Sequence, residues 1–175
     1  ATIAYPGGVL IDSDYLDIPK GIEITQDELA KNPTAIFEGF FQYNDVLVRP
    51  DIMVNNGDGI WDFIEVKSST TLKPENIRDV AIQTYVISGC GVKIRKSYLM
   101  HLNRECAYPD LDNLFELEDL TELVKPFIQE MDNSLENLRI MLNGKQPPDI
   151  SIGARCTKPY NCHFREHCWQ NVPEY

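Results

Sequence analysis

The sequence predicts an α/β fold: one mixed sheet flanked by helices, with a cysteine-rich C-terminal tail. Three observations carry that expectation. Short runs rich in β-branched and aromatic residues, punctuated by turn residues, fill positions 35 to 68. A helix-period stripe of Ile77, Val80, Ala81, Thr84 and Ile87 follows, and then a further strand-like run from Val92 to Leu102. Finally, three of the five cysteines crowd into the last twenty residues. A chain of 175 residues suits one sizeable core, so the division expected is a core at 1–148 and a tail at 149–175.

In chain order, residues 1 to 20, rich in Gly, Pro and Asp, read as irregular or edge-like. Thr25-Gln26-Asp27-Glu28 reads as a capping box opening a short helix that Asn32-Pro33 stops. Ala35 to Tyr43 reads as an apolar strand, Val46 to Val54 as a second and Ile60 to Ser68 as a third, with Asn55 to Gly59 as a turn. Short turns imply an antiparallel meander of these three. The helix expected over 74–88, ended by Gly89-Cys90-Gly91, permits a crossover to the strand at 92–102. Leu120 to Leu142 carries one more helical period, with a bend expected near Pro126.

Chemistry enters through Asp51 and Glu65-Val66-Lys67. Side chains two apart on a strand share a face, so Leu47, Arg49, Asp51 and Met53 point one way, and Trp61, Phe63, Glu65 and Lys67 point together. On a hairpin, Asp51, Glu65 and Lys67 then converge. A Glu-x-Lys triplet alone occurs by chance on many solvated strands. Here both carboxylates sit inside apolar strands, where a charge costs several kcal/mol unless it is paired or metal-bound. Two carboxylates beside a lysine suit a hard divalent cation next to a positive charge, the arrangement that phosphodiester hydrolysis needs. On the following helix Asp79 and Gln83 stand four apart and share a face, which leans Gln83 toward a phosphate or toward Lys67.

The net charge of −11 opposes nucleic-acid binding by a basic surface. Acidic metal-dependent nucleases partly escape that rule, because bound cations offset their own carboxylates. No apolar run is long enough to span a membrane, and the N-terminus lacks the pattern of a signal peptide. An odd number of cysteines argues for reduced thiols and a cytoplasmic location. Cys156, Cys162 and Cys168, interleaved with His163 and His167, read as ligands of a structural centre. Zinc would take three thiolates and one histidine, whereas an iron–sulfur cluster would want a fourth thiolate from Cys90 or Cys106.

With both motifs in view, the chain resembles the PD-(D/E)xK nuclease superfamily. More narrowly, it is similar to RecB-like nucleases that carry a cysteine cluster, such as the AddB nuclease domain and the CRISPR-adaptation nuclease. The resemblance runs from about Phe37 to Cys168, on Arg49-Pro50-Asp51, Glu65-Val66-Lys67 and the helix bearing Gln83. It implies a restriction-endonuclease-like fold and a DNA nuclease of repair, recombination or defence acting on single-stranded or free-ended DNA. It implies Mg²⁺ or Mn²⁺ held by Asp51, Glu65 and the main-chain carbonyl of Val66, with Glu38 as a further ligand. Lys67 would orient or activate the attacking water and stabilise charge on the phosphate, and Gln83 would complete the site. It also implies a [4Fe–4S] centre on Cys156, Cys162 and Cys168, three of the four thiolates required. The alternative is a non-catalytic nucleic-acid- or protein-binding module on the same fold.

Overall fold

In chain order the elements are β1 (Val9–Leu10), α1 (Ile18–Ala30), β2 (Ala35–Phe37), β3 (Phe41–Tyr43), β4 (Val46–Val48), β5 (Ile52–Asn55) and β6 (Ile60–Val66). Then come α2 (Pro74–Gly89), β7 (Lys93–Leu102), β8 (Phe115–Asp119), α3 (Thr121–Gln129), α4 (Met131–Leu142) and α5 (Arg165–Cys168), with a short 3₁₀ turn at Ala154–Cys156. This computed structural model describes residues 3–170 and 172. The outermost parts of the expected irregular start and of the tail therefore lie outside the described residues. The chain forms two compact units, Ala1–Met131 and Asp132–Tyr175.

The first unit is a mixed α/β sandwich. Its six-stranded sheet has the order β1-β2-β5-β6-β7-β8, with β1 and β8 at the edges. β2, β5 and β6 pair antiparallel, as the meander predicts, and β6 pairs parallel with β7 through the crossover helix α2. β6 is central and buried along most of its length, as a strand covered on both faces must be.

Two of the expected strands are each broken in two. Glu38 adopts a left-handed φ of 56°, which ends β2, and Pro50-Asp51 ends the extended run begun by β4. The residues between the breaks fold into a separate two-stranded hairpin, β3 with β4. Its turn, Asn44-Asp45, has φ of 51° and 60°, the paired left-handed values that match the twist of a tight hairpin. β8, unpredicted from sequence, is the acidic stretch Phe-Glu-Leu-Glu-Asp, whose composition argues against a strand until β7 supplies the pairing.

The helices differ from expectation for local reasons. α1 begins at Ile18, seven residues before Thr25. Asp17 caps it by accepting from the Lys20 N–H at 3.3 Å, and Pro19 stands in its first turn, where a missing N–H costs nothing. Thr25 is then an interior, fully buried residue. Its hydroxyl donates to the Gly21 carbonyl at 2.8 Å and accepts from the Phe40 N–H at 2.9 Å, which fastens α1 to the start of the hairpin. Gly21 is required there, because a Cβ would meet the Phe40 ring at 2.6 Å. The helix expected over 120–142 is two helices, and the break falls at Glu130 rather than at Pro126, which α3 contains.

α2 fulfils its predicted span and buries more than one stripe. Val80, Ala81, Thr84 and Ile87 are buried, and so are Gln83, Tyr85 and Val86. The second buried face arises because the β3–β4 hairpin packs on α2 as well. Asn44 donates to the Tyr85 hydroxyl at 2.8 Å, and the Tyr43 and Tyr85 rings meet edge to face at 5.4 Å.

Candidate active site at the ends of β5 and β6

The β5–β6 register pairs Ile52 with Ile64, so the next pair outward sets Asp51 opposite Glu65. Antiparallel partners present their side chains on one face, and α2 covers that face. Asp51 Oδ2 accepts from the Val66 N–H at 2.7 Å. This bond turns the carboxylate inward and ties the end of one strand to its neighbour.

Glu65 is the centre of the constellation. Lys67 Nζ donates to its Oε1 at 2.6 Å, and Gln83 Nε2 donates to its Oε2 at 2.7 Å. Lys67 also donates to Asp79 Oδ2 at 2.6 Å, and Gln83 reaches Asp79 Oδ1 at 3.3 Å. One turn of α2 therefore supplies two of the four corners, through the (i, i+4) pair Asp79 and Gln83. Of the two partners expected for Gln83, a phosphate or Lys67, the contact with Lys67 is replaced by contacts with the two carboxylates. Asp79 emerges as a site residue in its own right, and its spacing from Gln83 was the sequence signal for it. Tyr85 belongs to the hairpin contact described above.

The electrostatics are those of a buried acidic site. Burial pushes the Glu65 carboxyl up to about 7, aided by the nearby Asp51 and opposed by its bonds to Lys67 and Gln83. Burial likewise raises Asp51, against the Val66 N–H and the Lys67 charge that favour its ionised form. Burial disfavours the charge on Lys67 as well. Its hydrogen bonds to Asp79 and Glu65 outweigh that and hold the ammonium above its ordinary value.

Glu38 stands on the other side of Asp51. Its backbone N–H donates to the Asp51 carbonyl at 3.2 Å, which carries the left-handed kink up against the site. Burial and the neighbouring Asp51 raise its carboxyl, and Arg49, 3.4 Å away, lowers it. Arg49 lies 4.4 Å over the Phe40 ring. A cavity of about 330 Å³ adjoins this region and counts Glu38, Asp51 and Val66 among its walls.

Among the described residues, no three His, Cys, Asp or Glu side chains are gathered closely enough to hold a metal ion as they stand. The chemistry of the site nevertheless fits a hard divalent cation. Asp51 and Glu65 are oxygen donors whose neutralisation burial favours, and the Gln83 side-chain carbonyl is buried without a donor. A cation there would compete with Lys67 for Glu65. The tail differs. Cys156 is buried while Cys162 and Cys168 are exposed, and among the described residues the three thiols are not gathered into one ligand group as placed.

No helix among the described residues is long and apolar enough to cross a membrane. No family model matches the chain, and no curated protein matches it. It is similar to the solved structure titled "Crystal structure of SSO0001", at 14% identity and a TM-score of 0.35, over 80% of this chain and 78% of that one. A likeness that slight carries no argument about fold or activity.

Proposed function

We propose that the chain is a divalent-metal-dependent DNA nuclease of the RecB-like PD-(D/E)xK kind. The observation that carries this reading is the convergence of Asp51, Glu65, Lys67 and Gln83 at the ends of two buried strands and one helix turn. Nothing in the packing of the sheet requires two carboxylates there, and both are held against the cost of burial.

Asp51, Glu65 and the Val66 carbonyl would hold Mg²⁺ or Mn²⁺, with Glu38, whose carboxyl is raised by burial and by the neighbouring Asp51 charge, as the further ligand the resemblance implies. The cation supplies Lewis acidity toward a phosphoryl oxygen and a lowered pKa for bound water. Lys67 is held as an ammonium by Asp79, and by Glu65 where no cation displaces it. It would serve as positive charge for the negative charge that develops on phosphorus and would orient or activate the attacking water. Gln83 donates to Glu65 and so fixes the orientation of that carboxylate.

Lys67→Ala is expected to lower cleavage of linear DNA by at least about a hundredfold with the melting temperature little changed. Asp51→Ala should abolish cleavage and weaken Mn²⁺ binding. Full Mn²⁺-dependent activity in both variants would sink the proposal. The second reading, a non-catalytic binding module, is favoured by one observation: Lys67 already bridges Glu65 and Asp79, as a purely structural ion network would. Calorimetric titration separates the two. Mn²⁺ binding that vanishes in Glu65→Ala supports the nuclease, and absence of binding to the unaltered chain supports the module.

A further inference from the structure

Lys67 and Gln83 each bridge the same two carboxylates. Lys67 Nζ lies 2.6 Å from Glu65 Oε1 and 2.6 Å from Asp79 Oδ2. Gln83 Nε2 lies 2.7 Å from Glu65 Oε2 and 3.3 Å from Asp79 Oδ1. The four side chains close a ring between the end of β6 and α2. Its two carboxylates differ in their surroundings. The Glu65 side chain is 9% exposed, whereas that of Asp79 is 38% exposed. Asp79 is nonetheless firmly based, because the next two residues of α2, Val80 and Ala81, are fully buried.

The nuclease reading gives Glu65 to the cation, which competes there with Lys67. Of the two carboxylates bonded to Lys67, Asp79 is the one it then keeps. A lysine ammonium is a point charge on a flexible four-carbon stem, and it needs a fixed partner to stay in one place.

We propose that Asp79 is a positioning residue: it holds the Lys67 ammonium beside the site while a cation occupies Glu65. The inference rests on the nuclease reading above. Without Asp79, Lys67 has Glu65 as its bonded carboxylate and opposes the cation more strongly, or it moves freely on its stem. The contrary view is that Asp79 is one more negative charge in an acidic site. Its removal would then favour an anionic substrate and leave the rate unchanged or raised. The two views predict opposite signs.

The test is a double-mutant cycle of Asp79→Ala and Lys67→Ala, read by Mn²⁺-dependent cleavage of linear DNA and by calorimetric titration with Mn²⁺ alone. Asp79→Ala should lower kcat at least about tenfold, as misplacement of an aligned group does, with KM for the DNA unchanged or lower. In the Lys67→Ala background the same change should alter the residual rate by less than about twofold. Mn²⁺ binding should weaken about tenfold in Asp79→Ala, and by no more than about twofold once Lys67 is absent and no ammonium competes for Glu65. Asp79→Glu, which restores a carboxylate on the same turn of α2, should recover part of kcat. Asp79→Asn, which keeps the shape, carries the same test if the alanine variant melts early. A kcat at or above the parent's in a folded Asp79 variant overturns the inference and leaves the nuclease reading standing. Equal losses with and without Lys67 do the same. No Mn²⁺ binding and no cleavage by the unaltered protein overturn the nuclease reading and this inference together.

Discussion

Glu65 is the residue at which fold and chemistry oppose each other. Its folded pKa, about 7, stands above the ordinary carboxylate value of 4.5, because burial favours the neutral acid. The stabilising contribution of that neutral acid is fully present below pH 4.5 and is lost as the pH climbs to about 7. The metal-free protein should accordingly melt lower at pH 8 than at pH 5.5. Glu65→Gln should flatten that slope, and Mn²⁺ should raise the melting temperature more at pH 8, where the carboxylate is ionised. A pH-independent melting difference between Glu65→Gln and the parent would refute this account. Asp51, Glu65 and Lys67 were legible in the sequence because charged residues inside apolar strands are conspicuous. The Asp79–Lys67 pair and the Gln83–Glu65 bond were not. They depend on how far α2 rotates about its axis when it packs, which its sequence period alone does not specify.

At the level of elements, two buried polar residues hold segments together. Thr25→Val keeps the shape of the side chain and removes the hydroxyl, leaving the buried Phe40 N–H without its acceptor. It should cost about 1–3 kcal/mol in urea unfolding, and a loss below a few tenths would show that the bond is dispensable. His101, almost fully buried on β7, faces an acceptor at each ring nitrogen: the Leu102 carbonyl at 3.1 Å from Nδ1 and Glu118 at 2.7 Å from Nε2. Only the doubly protonated ring donates to both. Its pKa is raised by the Leu102 carbonyl first and then by Glu118. Its contribution is therefore complete below pH 6.5 and lost as the pH rises through its folded value. His101→Gln should remove part of the stability at pH 6 and little at pH 9, as read by thermal melts. The helix at 74–89 and the strand at 93–102 were legible from period and turn residues. The hairpin β3–β4 was hidden because its strands are apolar continuations of β2 and β5, and only the kinks at Glu38 and Pro50-Asp51 separate them. β8 was hidden because its acidic sequence gains strand character from pairing with β7.

At the scale of the whole molecule, the two compact units are expected to differ in resistance to protease. Residues 143–155 are exposed throughout and carry almost no regular structure, whereas the β6–β7 region is buried. Limited trypsin digestion should cut first at Lys145 or Arg155, and mass spectrometry should find a surviving fragment that contains all of 9–129. A first cut within 52–102 would contradict this. One feature at the rim of the sheet sets the handling of the intact chain. Among the described residues β8 is an edge strand whose outer side has no strand partner, and its exposed Phe115 and Leu117 alternate with Glu116 and Glu118. The acidic residues keep copies of the chain apart at neutral pH. Near the isoelectric point of about 4.6 that repulsion vanishes. Mild acid, which relieves Glu65 and His101 and so firms each folded molecule, is therefore the condition in which β8 is expected to be least protected against pairing between copies. Thermal resistance and solubility run in opposite directions along the pH axis.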